Sequence, residues 1–309
     1  PEAARGPRTR ERRIALIRRL LRSRRQRLAW LVFVVALSLL VYGFIVEPAR
    51  LVLRDHVLEL QRWPARCNGL RVDVITDVHT GSPRNGVDNL DRVVARLRAS
   101  DAQIVLMAGD YVILSVLAGT YVPADTIAEH LRPLTAEKQV YAGLGNHDWW
   151  KDGHKVSRAF ASAGVHMIDN KAVPVSVRGC RFWLAGLGDL LEGNPDVAGT
   201  FSAIPAEAPV IALSHEPALW TRIPARTALT IAGHTHGGQI MPITWLRPPD
   251  FEADSHLLRG SYRRADGGSL FVSPGIGTSI LPMRLGVPPE ISRLRLQAVR
   301  ANATVAAAT

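Results

Sequence analysis

The amino-acid sequence predicts a mixed α/β sandwich, with two sheets flanked by helices, behind an N-terminal transmembrane helix. Strand-like and helix-like segments alternate early in the chain and short strands dominate later, an order typical of such a sandwich. The 309 residues are 47% hydrophobic and 21% charged, which is the composition of a folded protein with a sizeable core. Residues 28–46 carry no charge and are long enough to form the transmembrane helix.

The N-terminal segment combines a basic tail with this apolar stretch. Residues 1–27 hold eleven arginines against two glutamates, so about nine of the eleven net positive charges lie there. Because basic residues stay on the cytoplasmic side of a membrane, we expect the chain beyond residue 46 on the extracytoplasmic side of the cell membrane. The adjacent membrane helix makes anionic lipid headgroups, rather than nucleic acid, the expected partner of the arginines.

The apolar stretch is either a retained signal anchor or a cleaved signal peptide. Residues 23–28 resemble a twin-arginine export signal, although Arg27 stands where an aromatic residue is usual. No small-x-small cleavage site precedes Glu47, which favours the anchor. The predicted organisation is a basic cytoplasmic tail (1–27), a single-pass transmembrane anchor (28–46), a folded domain (47–300) and a disordered tail (301–309).

Hydrophobic periodicity predicts the elements of the folded domain. Apolar residues at spacings of three and four predict helices over 87–97, 124–131 and 153–163. The order of the strands within the sheets does not follow from the sequence. Alternating or continuous apolar runs predict the strands themselves, which in chain order cover 51–60, 71–75, 104–108, 140–144, 166–168, 173–177, 182–185, 210–213, 228–231, 269–272 and 291–296.

The chain has two cysteines, Cys67 and Cys180. Two cysteines make neither a disulfide framework nor a thiolate metal site. A single bridge between them stays open for an exported domain.

Five of the apolar runs end in a polar cluster with metal-ligand chemistry. The carboxyl ends of strands are where α/β proteins place their ligand sites. Each residue alone is more often a turn residue or a cap, but five clusters in this order argue against coincidence. Carboxylates, imidazoles and an amide without a thiolate suit Mn²⁺, Fe or Zn²⁺. The clusters are Asp77-x-His79, Gly109–Asp110, Gly145–Asn146–His147–Asp148, Ser214–His215 and Gly233–His234-x-His236.

The last cluster follows a strand-like run and lies between glycines. On an extended backbone, residues two apart point to the same side, so His234 and His236 are expected to converge. The flanking glycines would let the backbone pass close to a crowded site.

The order D-x-H, G-D, G-N-H-D, H, G-H-x-H resembles that of the calcineurin-like metallophosphoesterases, over about residues 71–239. Residues 273–279, 281–284 and 289–291 resemble the membrane-associated bacterial branch. That branch includes phosphodiesterases exported by the twin-arginine route and enzymes that cleave the pyrophosphate of UDP-diacylglucosamine. The resemblance implies the metallophosphoesterase fold for residues 47–300 and two divalent metal ions (Mn, Fe or Zn) as cofactors.

The resemblance also implies a role for each residue of the clusters. Asp110 would bridge the two ions, because a carboxylate has two oxygens to share. His147 would donate a proton to the leaving-group oxygen or stabilise its charge, and Asp148 would orient His147. Asn146 and Arg284 would contact the substrate, since a guanidinium fits phosphate oxygens. The two ions would be held by Asp77, His79 and His236, and by Asn146, His215 and His234.

Several of these residues have a second interpretation. His147 is a further metal ligand in the alternative view, Asp148 a simple loop cap, and Arg284 part of a surface salt bridge. Trp149 and Trp150 are expected to wall the substrate site, to meet a lipid surface or to pack in the core. Asp189 is expected to line the pocket or to lie in a turn.

The expected function is a metal-dependent phosphoric ester hydrolase that acts through a metal-activated hydroxide. Phosphodiester or pyrophosphate cleavage is preferred over monoester cleavage on the resemblance to the branch. Membrane tethering indicates a lipid-linked or envelope phosphate compound as substrate. The alternatives are a phosphomonoesterase of broad specificity and a non-enzymatic membrane-bound scaffold on the same fold. The presence of all seven implied ligands argues against the scaffold.

Overall fold

The computed structural model describes residues 8–241 and 256–299, so the predicted tail at 301–309 lies outside the described residues. The described part begins with a long helix, α1 (Arg8–Val41), which continues through a π-helical turn (Tyr42–Val46) and a 3-10 turn (Glu47–Ala49). Residues Ser23–Ala49 are long and apolar enough to cross a membrane, and almost none of this segment is buried inside the protein. The predicted N-terminal apolar helix is therefore confirmed, and it is not a core helix.

Apart from two short elements that the sequence does not predict, Val197–Ser202 and Gly260–Arg263, the other helices and strands follow the predicted order. In chain order they are β1 (Val52–Leu60), β2 (Leu70–Ile75), α2 (Val87–Ala99), β3 (Ile104–Ala108), α3 (Ala124–Thr135), β4 (Gln139–Gly143), α4 (Asn146–Ser162), β5 (His166–Met167), β6 (Lys171–Val177), β7 (Cys180–Gly186), α5 (Val197–Ser202), β8 (Val210–Leu213), β9 (Leu229–Ala232), β10 (Gly260–Arg263), β11 (Ser269–Val272) and β12 (Glu290–Ala298).

The strands form two six-stranded sheets, which confirms the predicted two-sheet architecture. The first has the order β1-β12-β2-β3-β4-β5 and the second β10-β11-β9-β8-β7-β6. β2, β3, β4 and β5 run parallel to one another, while β12 returns antiparallel to β2. In the second sheet β7, β8, β9 and β11 are parallel. Both sheets are therefore mixed, with parallel centres.

The central strands are buried on both faces. Ile104 and Leu106 of β3 pack in the core between the sheets together with Phe182 of β7. Val105 and Met107, which point the opposite way, pack against α2, α3 and α4. A second, smaller outer cluster packs α5 against β7 and β8. Burial on both faces explains why these strands read as continuous apolar runs.

A disulfide joins Cys67, just before β2, to Cys180, the first residue of β7. Both cysteines are buried in the core between the sheets. The bridge that the sequence left open is thus present, and it links the first sheet to the second covalently.

The main departure from the predicted elements is the start of α4. The sequence predicts a helix over 153–163, whereas α4 begins at Asn146 and turns through an extended residue at Asp152 (φ 172°). Amphipathic spacing starts only after this kink, so the sequence carries no helical signal for the first turn. That first turn carries Asn146, His147 and Asp148, with Gly145 as its N-cap.

Candidate metal centre

The five predicted clusters meet at one edge of the sandwich. β2, β3 and β4 are parallel neighbours, as are β8 and β9, so the carboxyl ends within each set lie together. Hydrogen bonds then join the two sheets at this edge. His215 Nδ1 lies 2.7 Å from the carbonyl oxygen of Ala108. Asp77 accepts the backbone N–H of His234 at 3.0 Å.

Imidazole nitrogens face one another in two pairs. His79 Nε2 lies 3.2 Å from His236 Nε2, and His215 Nε2 lies 3.3 Å from His234 Nδ1. Asp110 Oδ2 reaches both pairs, at 3.5 Å from His79 Nε2 and 3.3 Å from His215 Nε2. A cation between two imidazoles accepts both lone pairs, as in metal sites of proteins. The pairing therefore fits two ion positions that share one carboxylate.

For two of these histidines, His79 and His215, a backbone carbonyl oxygen lies near the opposite ring nitrogen. His79 Nδ1 lies 3.3 Å from the carbonyl oxygen of Val112, and His215 Nδ1 is bound to Ala108 as described above. A ring nitrogen that donates its proton to a carbonyl leaves the other nitrogen as a lone-pair donor for a metal. Asp77 Oδ1 lies 3.5 Å from His236 Nε2, so Asp77 joins the pair formed by His79 and His236.

Asn146 has a buried side-chain oxygen without a hydrogen-bond partner among the described residues. An unsatisfied buried oxygen is costly, and a cation at this position would satisfy it. The orphaned oxygen, the facing nitrogens and the absence of thiolates among these side chains all fit hard or borderline divalent ions. Such ions fit the seven predicted ligands, here called the metal-ligand cluster: Asp77, His79, Asp110, Asn146, His215, His234 and His236. His147 also offers a ligand atom beside His79 and Asp110, as its alternative interpretation expects, and Glu216 offers one beside His215 and His234.

Five of the seven predicted ligands have a left-handed backbone. Such φ values are uncommon outside glycine and cluster at functional sites. For His234 (φ 69°) and His236 (φ 52°) the finding corrects the expected extended backbone. A tight turn, rather than strand-like alternation, brings the two rings to the site, and it sends them to different partners. The other three are Asp77, His79 and Asp110.

Burial sets the protonation states of the cluster. It lowers the pKa of His79 to about 3 and of His234 to about 4, so both rings are neutral at neutral pH. Burial raises the pKa of Asp77 to about 6. Burial also raises the pKa of Asp110, but the neighbouring His215 outweighs that effect and holds the pKa below its usual range. Burial lowers the pKa of the His215 ring, but the Asp110 carboxylate outweighs that effect and raises this pKa above its usual value. Neutral imidazoles and ionised carboxylates are the states that bind metal ions, so His215 would lose its proton when an ion binds.

Asp148 does not contact the His147 ring, contrary to the predicted orienting role. Its two carboxylate oxygens accept four backbone N–H groups instead. Asp148 therefore fastens the loop that carries Asp110 to the turn that carries Gly145, as the loop-cap interpretation expects. Burial, together with the charge of Asp110, raises the pKa of Asp148 to about 7. The four donors are Asp110 (2.9 Å), Tyr111 (2.9 Å), Val112 (3.2 Å) and Gly145 (3.0 Å).

His147 lies at the opening of the cluster. Its ring centroid is 4.7 Å from that of His79 and 4.9 Å from that of Trp150, which is half exposed. Its Nδ1 is buried without a partner among the described residues. The two neighbouring tryptophans therefore have different positions. Trp150 lies beside His147 at the opening, whereas Trp149 packs against the core.

Arg284 is fully buried, and its guanidinium donates to three backbone carbonyls. The acceptors are Pro274 (3.0 Å), Gly277 (2.9 Å) and Val287 (3.0 Å). This placement corrects both the expected phosphate contact and the alternative surface salt bridge. Arg284 holds the loop between β11 and β12 against the metal-ligand cluster, a role that depends on the folded loop and leaves no mark in the local sequence.

Two carboxylates beside the second histidine pair were missed or left undecided. Glu216 offers an oxygen within 4.8 Å of ring nitrogens of His215 and His234. Asp189 is fully buried, and burial together with Glu216 raises the pKa of Asp189 to about 8. A signal for Asp189 was available, because it follows glycine at the end of a strand, as Asp110 does.

Residues 70–238, more than half of the chain, match the calcineurin-like phosphoesterase family. The chain belongs to this family. Membership confirms the family and the hydrolase class that the sequence predicts, on the fold described above. The metal-ligand cluster lies within the matched region.

This phosphoesterase is similar to curated proteins of animals and bacteria. It is 28% identical to a "Transmembrane protein with metallophosphoesterase domain" of Danio rerio over 288 residues, which covers 86% of the chain and 62% of that relative. It is 28% identical to the "Uncharacterized metallophosphoesterase YkuE" of Bacillus subtilis, covering 83% of the chain and 89% of YkuE. It is 26% identical to "Phosphodiesterase YaeI" of Escherichia coli, covering 62% of the chain and 70% of YaeI. The chain thus spans about three fifths of the zebrafish relative.

Proposed function

We propose that the chain is a dinuclear metallophosphoesterase that cleaves a phosphodiester or pyrophosphate bond in a membrane or envelope compound. The observation that carries the proposal is the symmetric surrounding of Asp110. One oxygen of Asp110 lies within 3.5 Å of an imidazole nitrogen from each facing pair. Two ion positions that share a carboxylate are the arrangement that clamps a phosphoryl group.

Each ion would be held by one part of the cluster. When bound, the two ions polarise the phosphoryl oxygens and supply hydroxide near neutral pH. Asn146 contributes a neutral oxygen, so it adds no negative charge that would repel an anionic substrate. Asp110 would be shared by both ions. The first set of ligands would be Asp77, His79 and His236, and the second Asn146, His215 and His234.

His147 would act on the leaving group. Burial lowers the pKa of His147, so the ring is neutral at neutral pH. A neutral imidazole donates a hydrogen bond through its N–H, and at the opening of the cluster it can do so to the leaving oxygen. Trp150 covers one side of His147 and limits the access of water there.

The withdrawn position of Arg284 supports a preference for diesters over monoesters. A monoester dianion carries more charge than a diester and gains more from a guanidinium contact. The guanidinium of Arg284 donates to backbone carbonyls, so it offers no contact to a phosphate group.

Two features support an extracytoplasmic domain anchored by residues 28–46. The arginines of residues 1–27 precede the span and favour the cytoplasmic side for the N-terminus. The buried Cys67–Cys180 disulfide suits an oxidising compartment, since disulfides are rare in the cytosol. Residues 47–300 would then form the catalytic domain.

The test uses the full chain in detergent, stripped of metal and reloaded with Mn²⁺, Zn²⁺ or Fe²⁺. We expect two ions per chain by mass spectrometry and faster hydrolysis of bis-p-nitrophenyl phosphate than of p-nitrophenyl phosphate. Asp110→Asn should lose metal and turnover together. His147→Gln should keep its metal and lose about 100-fold or more in kcat. The control is Asp125→Asn, an exposed carboxylate on α3, which should match the wild type.

The same experiment separates the alternatives. Hydrolysis of the monoester alone would replace the proposal with a phosphomonoesterase. Tight metal binding without hydrolysis of either ester or of a lipid-linked pyrophosphate would indicate a scaffold. Full activity in Asp110→Asn would overturn the dinuclear site.

A further inference from the structure

We propose that an apolar rim beside the metal-ligand cluster lies in the lipid interface, so that the catalytic opening faces the bilayer surface. The apolar rim consists of Leu114, Leu117, Ile280 and Leu281. The substrate it would present is a lipid whose phosphate sits at the headgroup level. The proposal rests on the proposed anchoring and deepens the proposed function.

The rim is exposed in the described structure, and one of its residues, Ile280, has a strained backbone. The exposed fractions are 46% for Leu114, 63% for Leu117, 72% for Ile280 and 41% for Leu281. Ile280 also has a φ of 61°, a left-handed backbone that a β-branched residue rarely adopts. Strain and apolar exposure at one residue are both unfavourable in water, and such combinations mark functional positions.

Backbone contacts make the rim one unit from two loops. Leu117 donates its N–H to the carbonyl oxygen of Ile280 at 3.0 Å, and Val116 pairs with Ile280 in a parallel bridge. Gln239, three residues after His236, donates to the carbonyl oxygens of Ser279 (3.1 Å) and Leu281 (3.0 Å). The two loops therefore present their apolar side chains together.

The same loops are attached to the metal-ligand cluster. Gly277 donates its N–H to the carbonyl oxygen of Asp77 at 2.6 Å. Val112, two residues before Leu114, lies 3.3 Å from His79 Nδ1 through its carbonyl oxygen. Ile280 is three residues from Gly277, so the chain between them spans at most about 11 Å. The rim thus borders the catalytic opening.

The end of the candidate membrane span is attached to this loop as well. Arg284 donates its N–H to the carbonyl oxygen of Gly43 at 3.0 Å. The carboxylate of Glu47, which is buried, accepts the N–H of Gly286 at 3.0 Å. Arg284 is four residues from Ile280, which limits their separation along the chain to about 14 Å.

Continuity with the span identifies the partner as lipid. A segment that leaves the hydrocarbon core beside the rim keeps the rim near the headgroup layer. Apolar side chains at that level are covered by the headgroup and acyl boundary. A second copy of the chain is the competing partner, and the experiment below separates it from lipid.

The test measures the depth of the rim directly. Both cysteines of the chain are paired with each other, so Ile280→Cys or Leu117→Cys introduces a single reactive thiol. A nitroxide is attached, and the full chain is reconstituted in vesicles of phosphatidylethanolamine and phosphatidylglycerol. The matched control is Val57→Cys, which is 60% exposed and lies five residues into β1, away from the span.

We expect collisions with lipid-soluble oxygen, relative to a water-soluble nickel chelate, to be several-fold more frequent at the two rim positions than at Val57. Equal ratios at rim and control would overturn the proposal. Protection from both reagents with spin–spin broadening would also overturn it, in favour of a second copy. Because the readout is depth, the proposal can fail while hydrolysis of the soluble diester persists, and it can hold if that hydrolysis is absent.

Discussion

Gly145→Ala is expected to disrupt the metal-ligand cluster by adding a single methyl group. A Cβ at Gly145 would collide with Asp110 Oδ1, and it would lie 2.7 Å from the Asp110 nitrogen and 2.8 Å from His215 Cε1. The backbone of Gly145 (φ −109°) admits alanine without strain, so the effect is steric. The methyl group thus strikes the proposed bridging carboxylate and a proposed ligand of the second ion.

The magnitude follows from these distances. Ordinary van der Waals contact begins near 3.4 Å, so the Asp110 backbone and the His215 ring must retreat by about 0.6–0.7 Å. Metal–ligand distances tolerate about ±0.2 Å, so we expect loss of metal rather than a small shift in affinity. Overpacking also costs about 1–3 kcal/mol of unfolding free energy.

The assay compares metal content, hydrolysis of bis-p-nitrophenyl phosphate and denaturant unfolding in Gly145→Ala and Gly86→Ala. Gly86 is the N-cap of α2 as Gly145 is of α4, and a Cβ there meets no atom within 4 Å. The capping cost of alanine is therefore shared by both variants. If Gly145→Ala kept its metal and activity at the level of Gly86→Ala, the steric reasoning and the shared role of Asp110 would be refuted.

Three further outcomes are expected. Asp148→Ala should lower both metal content and unfolding free energy, at about 1–3 kcal/mol per orphaned N–H, partly offset by removal of a buried carboxylate. A fall in kcat with intact metal and stability would restore the orienting role. Cys67→Ser, which frees Cys180, should destabilise the domain by about 2–5 kcal/mol in denaturant, and added reductant should do the same to the wild type alone. Asp169 has its pKa raised by burial to about 6 from 3.8, so it binds a proton more tightly in the folded state. The contribution of Asp169 to the free energy of unfolding should therefore fall by up to about 3 kcal/mol as the pH rises from 4 to 6. Thermal unfolding at each pH measures this fall, which Asp169→Asn should lack.

Local sequence predicted most of the elements, because periodicity and strand-ending glycines are properties of short segments. β3, β8 and β11 lie where the sequence predicts them, to the residue. The start of α4 was misplaced because its first turn is ordered by the Asp148 carboxylate and not by an apolar face. The short edge strand β10 was missed since its residues are polar and partly exposed.

Residue roles were less predictable than residue identities. Asp148 and Arg284 carry charges that suggest catalysis. Both side chains instead form hydrogen bonds with backbone groups that only the folded chain brings near them. Glu216 was not predicted as a site residue, because a glutamate after a histidine has no local sequence signature. The Cys67–Cys180 bridge joins residues 113 positions apart, so it depended on which strands face each other across the core.

Residue type and local spacing were enough to predict the proposed ligands, their position at strand ends, the family and the apolar helix. These depend on residue type and local spacing, which folding does not alter. Which imidazoles face each other depends on the fold, because His79 and His236, 157 residues apart, meet through the strand order of two sheets. The fold also attaches the end of the candidate membrane helix to the loops that border the metal-ligand cluster, through contacts that join the first fifty residues to the last thirty. The position of the proposed site relative to the candidate membrane helix is therefore a property of the fold and not of any motif.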